Sequence, residues 1–136
     1  MRNAVVLVLL LSISTGANAA WTKASESTAG TGYVDPATIF RSADKVTMWE
    51  LTDYRVVPDQ TNPYRSVKGQ FEFDCKDKRL RLLSTSAYSG QMGKGQLVGA
   101  ATDAGAWAPV IPSSVGHILW TIACSSRSVP TTVPAN

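Results

Sequence analysis

The sequence is short of the residues from which catalytic and metal sites are assembled. Among 136 residues it holds one histidine, His117, and two cysteines, Cys75 and Cys124. A lone histidine has no second imidazole with which to build a metal site. No CxxC pair is present to hold zinc or to run thiol exchange. A Ser-His-Asp arrangement is open in principle to any serine, yet no GxSxG turn marks a nucleophile. Asp35, Asp53, Glu72 and Asp74 offer carboxylates for glycoside cleavage, but each is accounted for by a turn or a strand ladder. The reading is a protein that is not an enzyme and needs no cofactor or metal, with an envelope hydrolase as a distant rival.

Long apolar runs are scarce too. Residues 4–11 form an unbroken apolar stretch, far shorter than the roughly 20 residues that cross a bilayer. Arg2 precedes it and Ala17-Asn18-Ala19 follows, which together read as a secretory signal peptide over residues 1–19, cut after Ala19. No cysteine follows the cut, so the reading includes neither a transmembrane segment nor a lipid anchor. A strong surplus of one charge is also missing. Removing Arg2 leaves 12 Lys and Arg against 10 Asp and Glu, or +2 for the exported form. Proteins that grip nucleic acid through phosphates show a clustered basic excess, so nucleic acid is not an expected partner.

What remains is one domain over residues 20–124 and a polar, proline-bearing tail over residues 125–136, expected to be flexible. Two cysteines in an exported domain read as a disulfide. Cys75 and Cys124 lie 49 residues apart. On the chain-entropy account a loop of that size is worth about 4 kcal/mol.

The pattern is mainly β. Residues 21–26 and 33–35 read as short strands, separated by a turn-rich connector over residues 27–32 and stopped by Pro36. Asp35-Pro36-Ala37-Thr38 reads as a turn or a brief helical start. Residues 45–57 are dense in β-branched and aromatic side chains and read as a strand. Residues 64–75 alternate most regularly. Val67, Phe71, Phe73 and Cys75 share one face; Lys68, Gln70, Glu72 and Asp74 share the other. Leu80 and Leu82 then alternate with Arg79 and Arg81.

Parity specifies how these last two strands meet. Phe73 beside Leu80 and Phe71 beside Leu82 sets Asp74 opposite Arg79 and Glu72 opposite Arg81. A slip of one residue drives Phe73 against Arg81 and spoils both faces. A loop over residues 76–79 preserves the same faces with a different diagonal set. The acids and bases are expected on an exposed face, where each pair contributes roughly 0.2–1 kcal/mol. Lys68, Lys76 and Lys78 are left over as a modest basic rim.

Residues 87–95, AYSGQMGKG, invite a nucleotide-loop reading and fail it. Gly95 stands where Ser or Thr meets magnesium, and no helix follows at once. A glycine-rich turn into a strand at residues 96–100 is expected instead. Residues 107–112 read as a last extended piece. Ser113-Ser114 offers a cap ahead of Val115, Ile118, Leu119, Ile122 and Ala123, the spacing of an amphipathic helix. On that stripe Trp120 leans off the buried side and His117 lies at its boundary. Trp21, Trp49, Trp107 and Trp120 are expected mainly in the core. The fold class is therefore α+β, mainly β: an antiparallel sheet of about five to six strands with one C-terminal helix, tied by a single disulfide.

In order along the chain, Trp21, Tyr33-Val34-Asp35-Pro36, Val46-Thr47-Met48-Trp49, Tyr64-Arg65-Ser66-Val67-Lys68, Phe73-Asp74-Cys75, Arg79-Leu80-Arg81, Tyr88-Ser89-Gly90, Met92-Gly93-Lys94-Gly95, Trp107, Pro112-Ser113 and Cys124 resemble the surface-adhesin protein E family of Gram-negative bacteria. The resemblance implies an antiparallel sheet with a C-terminal helix and one disulfide. It also implies attachment to host matrix or serum proteins of the vitronectin, laminin and plasminogen class, and a tendency to form homodimers. Ligand contact is then expected in residues 64–95, at Lys68, Lys76, Lys78, Arg79, Arg81 and Lys94. The family's prototype is a lipoprotein, and the missing lipid-bearing cysteine sets this chain apart from it. A second reading is a periplasmic structural or assembly protein with no host ligand. Both readings place the protein outside the cytoplasm, in the periplasm or secreted to the cell surface.

Overall fold

The computed structural model describes residues 20–125. The expected signal peptide and the segment 126–136 lie outside the described residues. Eight antiparallel strands are present among the described residues: β1 (Thr22–Glu26), β2 (Gly30–Val34), β3 (Phe40–Ser42), β4 (Lys45–Tyr54), β5 (Ser66–Asp74), β6 (Arg79–Tyr88), β7 (Leu97–Ala101) and β8 (Ala108–Pro109). One helix, α1 (Val115–Ser125), follows them. The main path of the sheet is β1-β2-β4-β5-β6-β7, with β3 beside the start of β4 and β8 beside the start of β6.

Of the registers that side-chain parity allows, the central hairpin has the one that pairs Phe73 with Leu80. Phe73 faces Leu80, Phe71 faces Leu82, Asp74 faces Arg79 and Glu72 faces Arg81. Beyond Phe71 the ladder skips one residue of β6, a bulge that sets Gln70 against Ser84 and Lys68 against Ser86. Alternation on β4 and β5 then divides the sheet into two faces. Val46, Met48, Phe71 and Phe73 point toward α1; Lys45, Trp49, Lys68, Glu72 and Asp74 point away from it.

The core lies under the helix. Val34, Val46, Met48, Phe73, Leu119 and Ala123 are buried together, with Phe71, Leu80, Trp120 and the two cysteines packed around them. Full burial of a side chain of this kind is worth roughly 1.5–3 kcal/mol. Ser114 caps α1 by accepting the His117 amide at 3.1 Å. The Cys75–Cys124 disulfide closes with its Cα atoms 5.6 Å apart. It joins the helix end to the residue after β5.

Four sequence expectations change. The helix is rotated relative to the expected stripe: Val115 is 51% and Ile118 40% exposed, whereas Trp120 is half-buried beside Leu119 and Ala123. The disulfide and a hydrogen bond from the Trp120 indole to the Asp74 carbonyl, 3.0 Å, set that rotation. Gly116 thereby comes to lie against β6, where a Cβ would stand 3.0 Å from the Leu80 Cδ2. Second, none of the four tryptophans is fully buried; Trp21, Trp49, Trp107 and Trp120 are all half-buried at the borders of the core or on the opposite face.

Third, β2 begins at Gly30, so half of the expected connector is strand. A Cβ on Gly30 would stand 2.3 Å from the Asp53 carbonyl oxygen, and one on Gly32 would stand 2.4 Å from the Ser25 Oγ. These glycines admit close neighbours rather than a turn. Fourth, the charged outer face is not simply exposed, because the Asp74 side chain is only 1% accessible. The short strand β3 was also not anticipated, and only Ala108–Pro109 of the expected extended piece over residues 107–112 is strand; β3 and β8 are each held by pairing to a longer neighbour.

Candidate functional site

The sheet face away from α1 carries two neighbourhoods. The first is a pocket of about 320 Å³ lined by Trp21, Asp35, Thr38, Trp49, Lys68, Ser86 and Tyr88. Trp21 immediately precedes β1. Asp35 caps a 3-10 turn (Pro36–Thr38) by accepting the Ala37 amide at 3.1 Å. The Thr38 hydroxyl donates to the Asp35 carbonyl at 2.6 Å and accepts the Trp49 amide at 3.0 Å. It therefore fastens the turn to β4 beside the Trp49 ring. Lys68 and Ser86 are cross-strand partners, and the Lys68 ammonium lies 5.2 Å from the centre of the Tyr88 ring.

The glycine-rich segment after β6 closes over the same end of the sheet. Its amides face the protein: Met92 N–H donates to Asp53 Oδ1 at 3.0 Å and Gly93 N–H to Ser66 Oγ at 2.8 Å. Ser66 in turn donates to the Gly90 carbonyl at 2.6 Å. A phosphate cradle needs such amides free, and these are spent. At Gly93, with φ +70°, a Cβ would stand 2.3 Å from Lys68 Cε. Glycine is required there so that the Lys68 stem can pass toward Tyr88.

The second neighbourhood is the hairpin end. Asp74 Oδ1 accepts the amides of Lys76 and Asp77 at 3.1 and 3.0 Å, which forms the turn between β5 and β6. Oδ2 meets Lys45 Nζ at 3.1 Å and Arg79 Nε at 3.0 Å. The Asp77 amide first, and then Lys45 and Arg79, hold the Asp74 carboxyl well below the usual carboxylate range, against the upward pull of burial. Arg81 Nε donates to Glu72 Oε1 at 2.8 Å. Trp107, on the irregular stretch after β7, lies over this ladder. Its ring centre is 4.7 Å from the Arg79 guanidinium, 4.6 Å from that of Arg81 and 5.8 Å from the Lys45 ammonium.

The six cations expected to meet a ligand are thus not one patch. Arg79 and Arg81 are paired to carboxylates and stacked on Trp107. Lys78 turns toward the helix, with its ammonium 5.8 Å from the Trp120 ring centre. Lys76 is exposed on the hairpin turn, and Lys94 is exposed at the end of the glycine-rich turn. Lys68 belongs to the pocket wall. Six residues of strand separate it from Asp74, roughly 20 Å at the usual rise. Lys68 was singled out by the sequence as a cation, whereas the pocket it borders was not. Parity on β4 was the available signal, since it places Trp49 on the same face as Lys68. Trp107 left no such signal, because it comes from an irregular segment.

On the helix side, Glu50 is buried and accepts the Thr52 hydroxyl at 2.6 Å. Desolvation raises its carboxyl above the ordinary value, only partly offset by that hydrogen bond. His117 is exposed and stacks on Trp120 with ring centres 6.4 Å apart. Among the described residues, no helix is long and apolar enough to cross a membrane.

A family model described as surface-adhesin protein E matches residues 21–125. No match is found among curated proteins. Among solved structures, the chain is similar to protein E of Haemophilus influenzae in crystal form II, with a TM-score of 0.58 at 17% identity over 90% of this chain and 97% of that one. A second structure of Haemophilus influenzae protein E gives a TM-score of 0.55 at 15% identity, over 82% and 91%. Protein E from non-typeable Haemophilus influenzae gives 0.53 at 17% identity, over 92% and 86%. At such identities the likeness is one of fold.

Proposed function

This chain belongs to the surface-adhesin protein E family, and on that premise we propose that it is an exported binding protein without catalytic activity. It contacts host matrix or serum proteins of the vitronectin, laminin and plasminogen class. The contact surface is the sheet face away from α1, together with the hairpin turn bearing Lys76 and Lys78. One observation carries the reading: that face presents half-buried aromatic rings interleaved with cations, Trp49 and Tyr88 beside Lys68, and Trp107 beside Arg79 and Arg81. Aromatic and arginine side chains supply most of the energy of protein interfaces. Cations that stay partly accessible steer an acidic partner and make association sensitive to salt.

The test is direct. Purified protein lacking residues 1–19 is passed over immobilised vitronectin, laminin and plasminogen at low and at physiological salt. Saturable binding that weakens with salt is expected, and Lys76→Glu combined with Lys78→Glu weakens it further. No binding at low salt to any of the three defeats the proposal. Antibody labelling of intact cells then separates display from confinement. A protein reached only after the outer envelope is opened fits the alternative, a periplasmic assembly role.

A further inference from the structure

We infer that the pocket walled by Trp21, Trp49 and Tyr88 takes a neutral saccharide residue, a pyranose ring of a glycan. Its polar lining is what selects that class. Asp35 and Lys68 contribute opposite charges to the same pocket. An anion drawn by Lys68 meets Asp35, and a cation drawn by Asp35 meets Lys68. An apolar side chain would strip water from both and satisfy neither, at a cost of a few kcal/mol per group. A polyhydroxylated ring with no net charge offers donors to the carboxylate and acceptors to the ammonium.

The groups that would meet it are unspent. Asp35 uses Oδ1 on the Ala37 amide, and among the described residues no donor reaches Oδ2. Ser86 Oγ and the indole N–H groups of Trp21 and Trp49 likewise have no partner among the described residues. The indole of Trp120, by contrast, is committed to the Asp74 carbonyl. Aromatic faces accept the C–H faces of a pyranose, while its rim hydroxyls each donate and accept. A volume of about 320 Å³ lies at the small end of ligand pockets and suits one or two rings. The walls are also held in place before any ligand arrives. Thr38 fastens the Trp49 backbone, and Gly93 and Tyr88 confine Lys68.

This inference deepens the adhesion reading by naming what one part of its surface recognises. The experiment uses free sugars, so the two stand or fall separately. Saturation-transfer NMR on the exported form is run with methyl galactoside, methyl mannoside, N-acetylglucosamine and lactose. At least one is expected to show saturable transfer in the millimolar range. N-acetylneuraminic acid and lysine methyl ester are expected to be weaker. Trp49→Ala lowers affinity by about tenfold or more, and Ser86→Ala lowers it by a few-fold without removing core volume. His117→Gln, on the far side of the sheet, leaves it unchanged. The inference is overturned if no neutral sugar shows transfer, if Ser86→Ala and Trp49→Ala both leave it intact, or if N-acetylphenylalanine amide occupies the pocket in preference. Host-protein binding that persists while sugar binding fails removes this inference alone. Sugar binding without host-protein binding removes the adhesion proposal alone.

Discussion

The indole N–H of Trp120 donates to the main-chain carbonyl of Asp74 at 3.0 Å, one residue before the disulfide partner Cys75 and four before Cys124. The helix is therefore pinned twice to the end of β5. The same Asp74 also holds the hairpin turn with one carboxylate oxygen and two cations with the other. Helix docking, turn and charge ladder meet at one residue.

Trp120→Phe keeps the ring and deletes the donor, which leaves a half-buried carbonyl without its partner. The loss is expected to be about 1–3 kcal/mol, read as a lower urea midpoint. Because Lys78 also lies over this ring, Lys78→Met should cost much less, under about 1 kcal/mol.

Reducing the Cys75–Cys124 bond frees a loop of 49 residues. Unfolding free energy is expected to fall by about 4 kcal/mol. Urea melts of the Cys75→Ser/Cys124→Ser double variant and of reductant-treated protein should agree. Retention of full stability would show that core packing alone holds α1.

Arg81 and Glu72 form a close pair, with side chains only 31% and 19% accessible. Arg81→Glu should destabilise the fold, and Glu72→Arg placed with it should restore part of the loss. A coupling energy of about 0.5–1 kcal/mol is expected. Recovery stays partial because Arg81 also stacks on Trp107. Strictly additive losses would argue against the observed register.

Two carboxyls give opposite dependences on pH. The Asp74 carboxyl is depressed in the folded state, so its contribution is present in full above the ordinary carboxylate range and is lost as pH falls through and below it. Asp74→Asn should flatten that acid limb of a plot of urea midpoint against pH. The Glu50 carboxyl is raised, so its contribution is present below the ordinary value and is lost as pH rises through the folded value. Glu50→Gln keeps an acceptor for Thr52 and should be more stable than the parent at neutral pH. That advantage should disappear in acid.

Much of this architecture was legible in consecutive residues. Phe71, Phe73, Leu80 and Leu82 alternate with charged neighbours of complementary sign, which restricts the pairing to registers of one parity; the turn held by Asp74 accompanies the one observed. Ser114 announced the helix start, and two cysteines left a single possible pairing. Glycine was misread where its reason was a neighbour in space. Gly30 and Gly32 looked like a turn because nothing local reveals the Asp53 carbonyl or the Ser25 hydroxyl that press on them.

The chain order of apolar and charged residues thus determined most of the strands, the parity of their pairing and the presence of a final helix, because each depends on a periodicity that neighbouring residues carry themselves, and the presence of just two cysteines determined the covalent tie. Only the assembled tertiary structure decided which side of α1 is buried, that Asp74 is sealed beneath two cations and beside a tryptophan-capped ladder, and that Trp21, Trp49, Lys68 and Tyr88 share one hollow. Those outcomes depend on segments distant in sequence coming within a few ångströms, and no local pattern records that distance.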